Sequence, residues 1–316
     1  MSGDEPLFGA LETGGTSTRV AVATSAAAGR AAAGGADRRF VARDAFPTTT
    51  PEETVARAAA FFARRRIAAL GVAAFGPIDL EPGSPRHGAL LSTPKPGWSR
   101  FPLRERLAGL LDVAVHVETD VNAAALAEQG AALAAGIDAP TLAYVTVGTG
   151  IGVGLALGGR AHHGALHPEA GHLFVRRAAG DAFAGLCPFH HDCLEGLASG
   201  PAIAARAGAD PSKLPPTHDA WRIEADYLAQ LAVAIVGLLA PQQIVLGGGV
   251  MSAPRLLDAV RVRAVELLNG YSPLLDANSG ATAAALLVAP RLGADSALIG
   301  ALELAVPADP LPDSLL

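Results

Sequence analysis

Cysteine is nearly missing from this chain. Its 316 residues hold only Cys187 and Cys193, both inside the heptapeptide CPFHHDC. A fold stapled by several disulfides is therefore excluded. Aromatic residues are also scarce at 5%, and charged residues make up 17% against 50% hydrophobic, so the interior must be built mainly from Ala, Val and Leu. No apolar run is long enough for a membrane span, because YLAQLAVAIVGLLAP is short and flanked by polar residues. The start, MSGDEPLFGALETGG, lacks the basic and apolar regions of a signal peptide. A formal charge of -6 offers no general attraction for nucleic acid or an anionic membrane. These absences leave a compact cytoplasmic protein, large enough for two domains.

Glycine and proline are abundant, at 36 and 23 residues. Leu7 to Ala23 reads as strand, glycine turn, strand, followed by a loop rich in Ala, Gly and Arg and by a further strand in RFVARDAFP. PEETVARAAAFFARRRIAAL predicts a helix opened by Pro51 and two acids, with arginines near its end. LGVAAFGPID and VAVHVETD predict strands, and FPLRERLAGLL the helix before the latter. The second half repeats the opening theme in TLAYVTVGTGIGVGLALGG. It continues through a long helix to the strand QIVLGGGV and a helix in SAPRLLDAVRVRAVELL, with Ser252 as its expected N-cap. This alternation is an α/β pattern, and the repeated opening points to a duplicated architecture holding a ligand between its halves.

Three glycine-rich turns, ETGGTSTR, VGTGIG and LGGGV, offer backbone N–H groups without intervening side chains, as polyphosphate binding requires. None matches GxxxxGK[ST] or GxGxxG. In VETDVNAAALAEQG, Asp120 falls where a strand meets a helix. Its carboxylate suits either a helix cap or a proton acceptor for a hydroxyl undergoing phosphoryl transfer. In CPFHHDC, Cys187, His190 and Cys193 form C-x2-H-x2-C, with His172 fifteen residues before the first cysteine. Four such ligands suit a closed, structural zinc site, with His191 as the alternate to His190. A Cys187–Cys193 disulfide is the competing reading, and it leaves the histidines unexplained.

Taken together, ETGGTSTR, FPTTTPEET, AAFGPIDL, TPKPGW, TDVNAAALAE, VTVGTGIGVGL, HPEAGHLFVRR, CPFHHDCLEGLASGPA, IVLGGGV and SALIGALELA resemble the ROK family (repressors, open reading frames, kinases), and within it the bacterial fructokinase branch. The resemblance implies a bilobal actin-like, ribonuclease-H-like α/β sugar kinase fold. Residues 1–116, rejoined by 292–316, would form the N-terminal lobe; 117–291 would form the C-terminal lobe, with an inserted zinc loop at 172–193. It implies Mg2+ with ATP, structural Zn2+, a hexose substrate and a homodimer. Asp120 would be the general base. Asn122, Glu169, His172 and Glu195 would surround the sugar, with His172 also binding zinc. Gly14, Gly15, Thr16 and Thr149 would hold the ATP phosphates, Gly248 and Gly249 would border the nucleotide, and Lys95 would lie near the cleft. Family repressors carry a helix-turn-helix before the first glycine turn. Too few residues precede that turn here to hold one. The expected reaction is ATP-dependent phosphorylation of D-fructose to fructose 6-phosphate. A glucokinase, mannokinase or broader hexokinase is the nearest alternative, and a non-catalytic sugar sensor a more distant one.

Overall fold

The computed structural model describes residues 5–24, 40–275 and 280–306. The Ala-, Gly- and Arg-rich loop expected after the second strand lies mostly outside these residues, as does the end of the terminal segment. Contacts divide the chain into two units, one of residues 1–137, 156–168 and 291–316, the other of 138–155 and 169–290.

In the first unit, β1 (Leu7–Thr13), β2 (Ser17–Thr24), β3 (Ala42–Pro47), β4 (Ala69–Ala74) and β5 (Ala114–Thr119) form a sheet in the order β3-β2-β1-β4-β5. The first three strands run antiparallel, whereas β4 and β5 continue parallel to β1. Thr13 of β1 pairs with Ala74 of β4, which pairs with Thr119 of β5. The glycine turn after β1, the loop after β4 and Asp120 after β5 therefore leave the sheet along one edge. Ligands of parallel sheets bind at such carboxyl edges.

Helix α1 (Pro51–Ala63) starts as its sequence predicts, with Pro51 in the first turn and the Thr50 side chain accepting from Glu53 N. The arginines expected in its last turn fall just beyond it; Arg65 Nη1 still donates to Phe61 O at 2.5 Å. Helix α2 (Leu103–Leu111) precedes β5, and α3 (Asp120–Ala134) follows it directly. Helix α9 (Ser296–Ala305) packs against α3, burying Leu298, Ala301 and Leu302 with Phe8, Ala10 and Ala123. Residues 117–137 fall in the first unit by contacts. Alanine and glycine at the helix contact permit the approach.

In the second unit, β6 (Thr141–Val147), β7 (Ile151–Leu157), β9 (Gln243–Gly247) and β10 (Leu287–Val288) belong to a sheet ordered β10-β9-β6-β7-β8, where β8 is Arg160–Ala161. The end of the β7–β8 hairpin, from Ala156, belongs to the first unit. The strand order 8-7-6-9-10 repeats 3-2-1-4-5, so the duplication expected from the two glycine-turn openings is present in the topology. Helices α4 (Leu194–Ala198), α5 (Gly200–Ala207), α6 (Asp219–Leu239), α7 (Leu256–Leu268) and α8 (Gly280–Leu286) complete the unit. Its core gathers Val145, Val147, Leu197, Ile203, Tyr227, Leu228 and Leu246. Ser252 is not the cap of α7. It ends a short 3-10 turn, its hydroxyl donates to Gly249 O, and Arg255 precedes the helix instead. No described helix is long and apolar enough to cross a membrane.

Candidate active site and metal centre

Asp120 is the first residue of α3, not its cap. Thr119 caps the helix, its Oγ1 accepting from Asn122 N at 3.1 Å, an arrangement worth about 1 kcal/mol. The cap reading of Asp120 thus passes to its neighbour. Asp120 Oδ1 accepts from Val121 N at 2.9 Å, and its carboxylate stays half-exposed at the carboxyl edge of the sheet. Asn122 is fully buried, with its Nδ2 donating to Glu118 Oε1 at 3.0 Å. Its amide is held inside the strand–helix junction.

Along the same edge, Gly14 N donates to Ser17 O at 2.9 Å, closing the first glycine turn, and Thr16 O accepts from Thr48 N. Lys95 Nζ donates to Gly15 O at 2.6 Å and to Thr48 O at 3.1 Å. Lys95 therefore braces the phosphate-type turn. Trp98, fully buried, donates Nε1–H to Thr49 O at 2.9 Å and packs edge-on against Phe75 and Phe101. TPKPGW is thus the clamp that holds the Thr48–Thr50 stretch and, through it, the glycine turn.

In the second unit two glycine turns and the start of α5 meet. Gly148 N donates to Gly150 O, and Gly148 O accepts from Gly200 N at 2.8 Å. Gly248 has φ +90°, and a Cβ there would lie 2.3 Å from Val147 O, so only glycine fits. Thr149 and Gly249 flank this convergence in sequence. Glu195 Oε2 accepts from Ile151 N at 2.9 Å, and a Cβ on Gly150 would approach that same oxygen to 2.5 Å. The glycine of the GTG turn is needed for Glu195 to reach its backbone. Glu169 lies close enough to Glu195 for their charges to repel. Desolvation first, and Glu195 second, push its carboxyl up to about 7, so near neutral pH it is only partly ionised.

His172, Cys187, His190 and Cys193 come together with all four candidate ligand atoms within 4.8 Å of one another. His172 Nδ1 lies 3.4 Å from Cys193 Sγ and 3.7 Å from Cys187 Sγ; Cys187 Sγ lies 3.7 Å from His190 Nδ1. A tetrahedral zinc shell with bonds of about 2.0–2.3 Å places sulfur and nitrogen about 3.6 Å apart, so the donor set and its spacing fit zinc. Neither cysteine is in a disulfide, and both are buried. Burial pushes the Cys193 thiol up to about 11, a cost that a bound cation would offset by holding the thiolate. His191 stands outside the cluster. Its N–H and carbonyl close a backbone pairing with Cys187, with φ +56°, and that turn presents His190. Because His172 turns Nδ1 to the cysteines, its Nε2 is left to face another group.

The sequence did not single out Glu118 or His163, although VETD places a second acid beside Asp120. His163 Nε2 lies 2.8 Å from Glu118 Oε2, and the hydrogen bond to Glu118 raises the imidazole pKa. Gly200 was also missed as a close-approach position, and the approach of Glu195 to Gly150 was not foreseen, since spacing alone does not show which segments meet.

Residues 8–307 match the model of the ROK family. The chain is 36% identical over 299 residues to a putative fructokinase of Bacillus subtilis, covering 95% of each chain. It is 37% identical over 301 residues to a fructokinase of Pediococcus pentosaceus, covering 95% of this chain and 97% of that one. Among solved structures, the ROK hexokinase of Thermus thermophilus superposes with a TM-score of 0.70 at 27% identity, over 95% of this chain and 97% of that one.

Proposed function

Because the chain belongs to the ROK family, we propose that it is a fructokinase, transferring the γ-phosphoryl group of ATP to the 6-hydroxyl of D-fructose. The fructokinases among its relatives support the sugar, and the structural observation that supports the chemistry is Asp120. This carboxylate stands at the carboxyl edge of the parallel strands β1, β4 and β5, with the capping duty taken by Thr119. In the proposed reaction Asp120 accepts the hydroxyl proton as its oxygen attacks phosphorus in line. Mg2+ enters as the counter-ion of the ATP substrate and spreads the phosphate charge. The backbone N–H groups around Gly14, Gly15 and Thr16, and around Thr149, Gly248 and Gly249, bind phosphates and nucleotide, with Lys95 keeping the first turn in shape.

Glu169, His172 Nε2 and Glu195 would pair sugar hydroxyls, and Asn122 would hold the helix start beneath Asp120. Zinc on His172, Cys187, His190 and Cys193 would fix the imidazole in one orientation and tie down the loop between Glu169 and Glu195. The site would be structural, since four protein ligands fill a tetrahedral shell. We place the enzyme in the cytoplasm, as a homodimer; sedimentation equilibrium giving twice the chain mass supports the dimer, and a single-chain mass removes it.

A coupled ADP-release assay over a panel of hexoses tests the activity. D-fructose is expected to give fructose 6-phosphate with a higher kcat/KM than glucose or mannose. A preference for glucose or mannose would leave a sugar kinase of different specificity. No turnover of any free sugar would remove the enzyme reading and favour a sugar sensor.

A further inference from the structure

We propose that His163 is a positioning residue for phosphoryl transfer, holding through Glu118 the strand–helix junction that carries Asp120. The proposal rests on the reading of Asp120 as the proton acceptor.

Glu118, next to last in β5, has only 6% of its side chain exposed, and a buried carboxylate needs donors for both oxygens. Oε1 accepts from Thr119 N at 2.8 Å and from Asn122 Nδ2 at 3.0 Å. Oε2 lies 2.8 Å from His163 Nε2. The two donors on Oε1 flank Asp120 in sequence. Thr119 Oγ1 closes the same turn by accepting from Asn122 N. Asp120 is therefore the half-exposed member of a junction pinned on either side, and His163 orients the acid that does the pinning.

The segment bearing His163 is itself anchored to α3 and to the neighbouring loop. Gln129, on α3, donates Nε2–H to Ala156 O at 3.3 Å, and its Oε1 accepts from Gly159 N at 2.9 Å. Farther along, His167 Nε2 accepts from Ile78 N at 3.1 Å, in the loop after β4. Residues 156–167 thus form a strap that meets α3 at Gln129, its first turn through Glu118, and the adjacent strand's carboxyl edge. A surface pair of this kind would be worth little by itself. Losing His163 here leaves one oxygen of a buried carboxylate without its donor, so Glu118 can turn to water and release the Asn122 amide. Displacements of about 1 Å at a reacting group can cost on the order of a hundredfold in rate.

The experiment compares wild type, His163→Leu and His163→Gln, each also in an Asp120→Asn background, by steady-state kinetics and thermal unfolding. His163→Leu is expected to lower kcat about 10- to 100-fold with the KM for ATP within about twofold. His163→Gln, whose amide can still donate to Glu118, is expected to recover most of that loss. In the Asp120→Asn background, His163→Leu is expected to change the residual rate less than about twofold, because a positioning residue has nothing left to position. A wild-type kcat in His163→Leu, or the same loss with and without Asp120, would overturn the proposal. If His163→Leu does not fold, His163→Asn, polar but too short to span to Glu118, carries the same comparison. Loss of stability with unchanged kcat would make His163 structural only. A wild-type enzyme that phosphorylates no sugar, or an Asp120→Asn variant as active as wild type, would remove the reading of Asp120 itself.

Discussion

Asp120 and Glu169 are both carboxylates of the proposed site, but their surroundings suit them to different tasks. Asp120 is the first residue of α3, with Oδ1 accepting from Val121 N and the carboxylate half-exposed. Replacing it with Asn preserves shape and removes the proton acceptor. Turnover should fall at least a hundredfold with near-wild-type thermal unfolding and fructose affinity, and a variant retaining more than about a tenth of wild-type kcat would refute the base assignment. Glu169 is held up to about 7 by desolvation and by Glu195. Since its ionised form is the better acceptor for sugar hydroxyls, kcat/KM for fructose should rise as pH increases through about 7. Glu169→Gln should flatten that rise. If the variant kept the wild-type profile, the titrating group would lie elsewhere. Asp120 was legible in the sequence because strand, carboxylate and alanine-rich helix follow one another. The Glu169–Glu195 pairing was not, because it depends on two segments 26 residues apart meeting at a glycine turn.

Between elements, the contact that sets the architecture of the first unit is the crossing of α3 and α9. A Cβ added at Gly300 would lie 2.0 Å from Ala123 O, so the two helix backbones nearly touch. Gly300→Ala would gain about 1 kcal/mol of helix propensity, but overpacking costs typically 1–3 kcal/mol and more where backbone must move. The expected net result is a loss of stability, seen as a lower urea midpoint with an unchanged slope. A raised midpoint would show that the helices separate freely. The sequence placed a helix after Asp120 and offered SALIGALELA only as a family motif. It did not reveal that these two segments pack together. The same limit explains Ser252: its residue type suits a cap, but the 3-10 turn after Gly248 uses its hydroxyl and delays the helix to Leu256.

Across the whole molecule, each unit has its own core, and the cluster of His172, Cys187, His190 and Cys193 proposed to hold zinc belongs to the second. Removing metal with a chelator, or by Cys193→Ser, should increase amide hydrogen exchange through residues 172–198 while leaving β1, β4 and β5 as protected as before. Elemental analysis of untreated protein should find about one zinc per chain. Exchange unchanged after metal loss would deny the cluster a structural role. A uniform rise in both units would show that it supports the entire fold.

Local order along the chain was enough to determine the alternation of strands and helices, the repeated glycine-turn openings, the acid just after β5 and a run of metal-type side chains around Cys187 and Cys193. Each of these is written in residues that are neighbours or nearly so, where periodicity, turn chemistry and ligand spacing act directly. Only the tertiary structure decided that Lys95 braces the glycine turn, that His190 and not His191 faces the cysteines, that Thr119 frees Asp120 from capping, and that His163 reaches Glu118. Those outcomes depend on which backbones approach within hydrogen-bonding distance and which side chains lose their water, and packing of distant segments sets both.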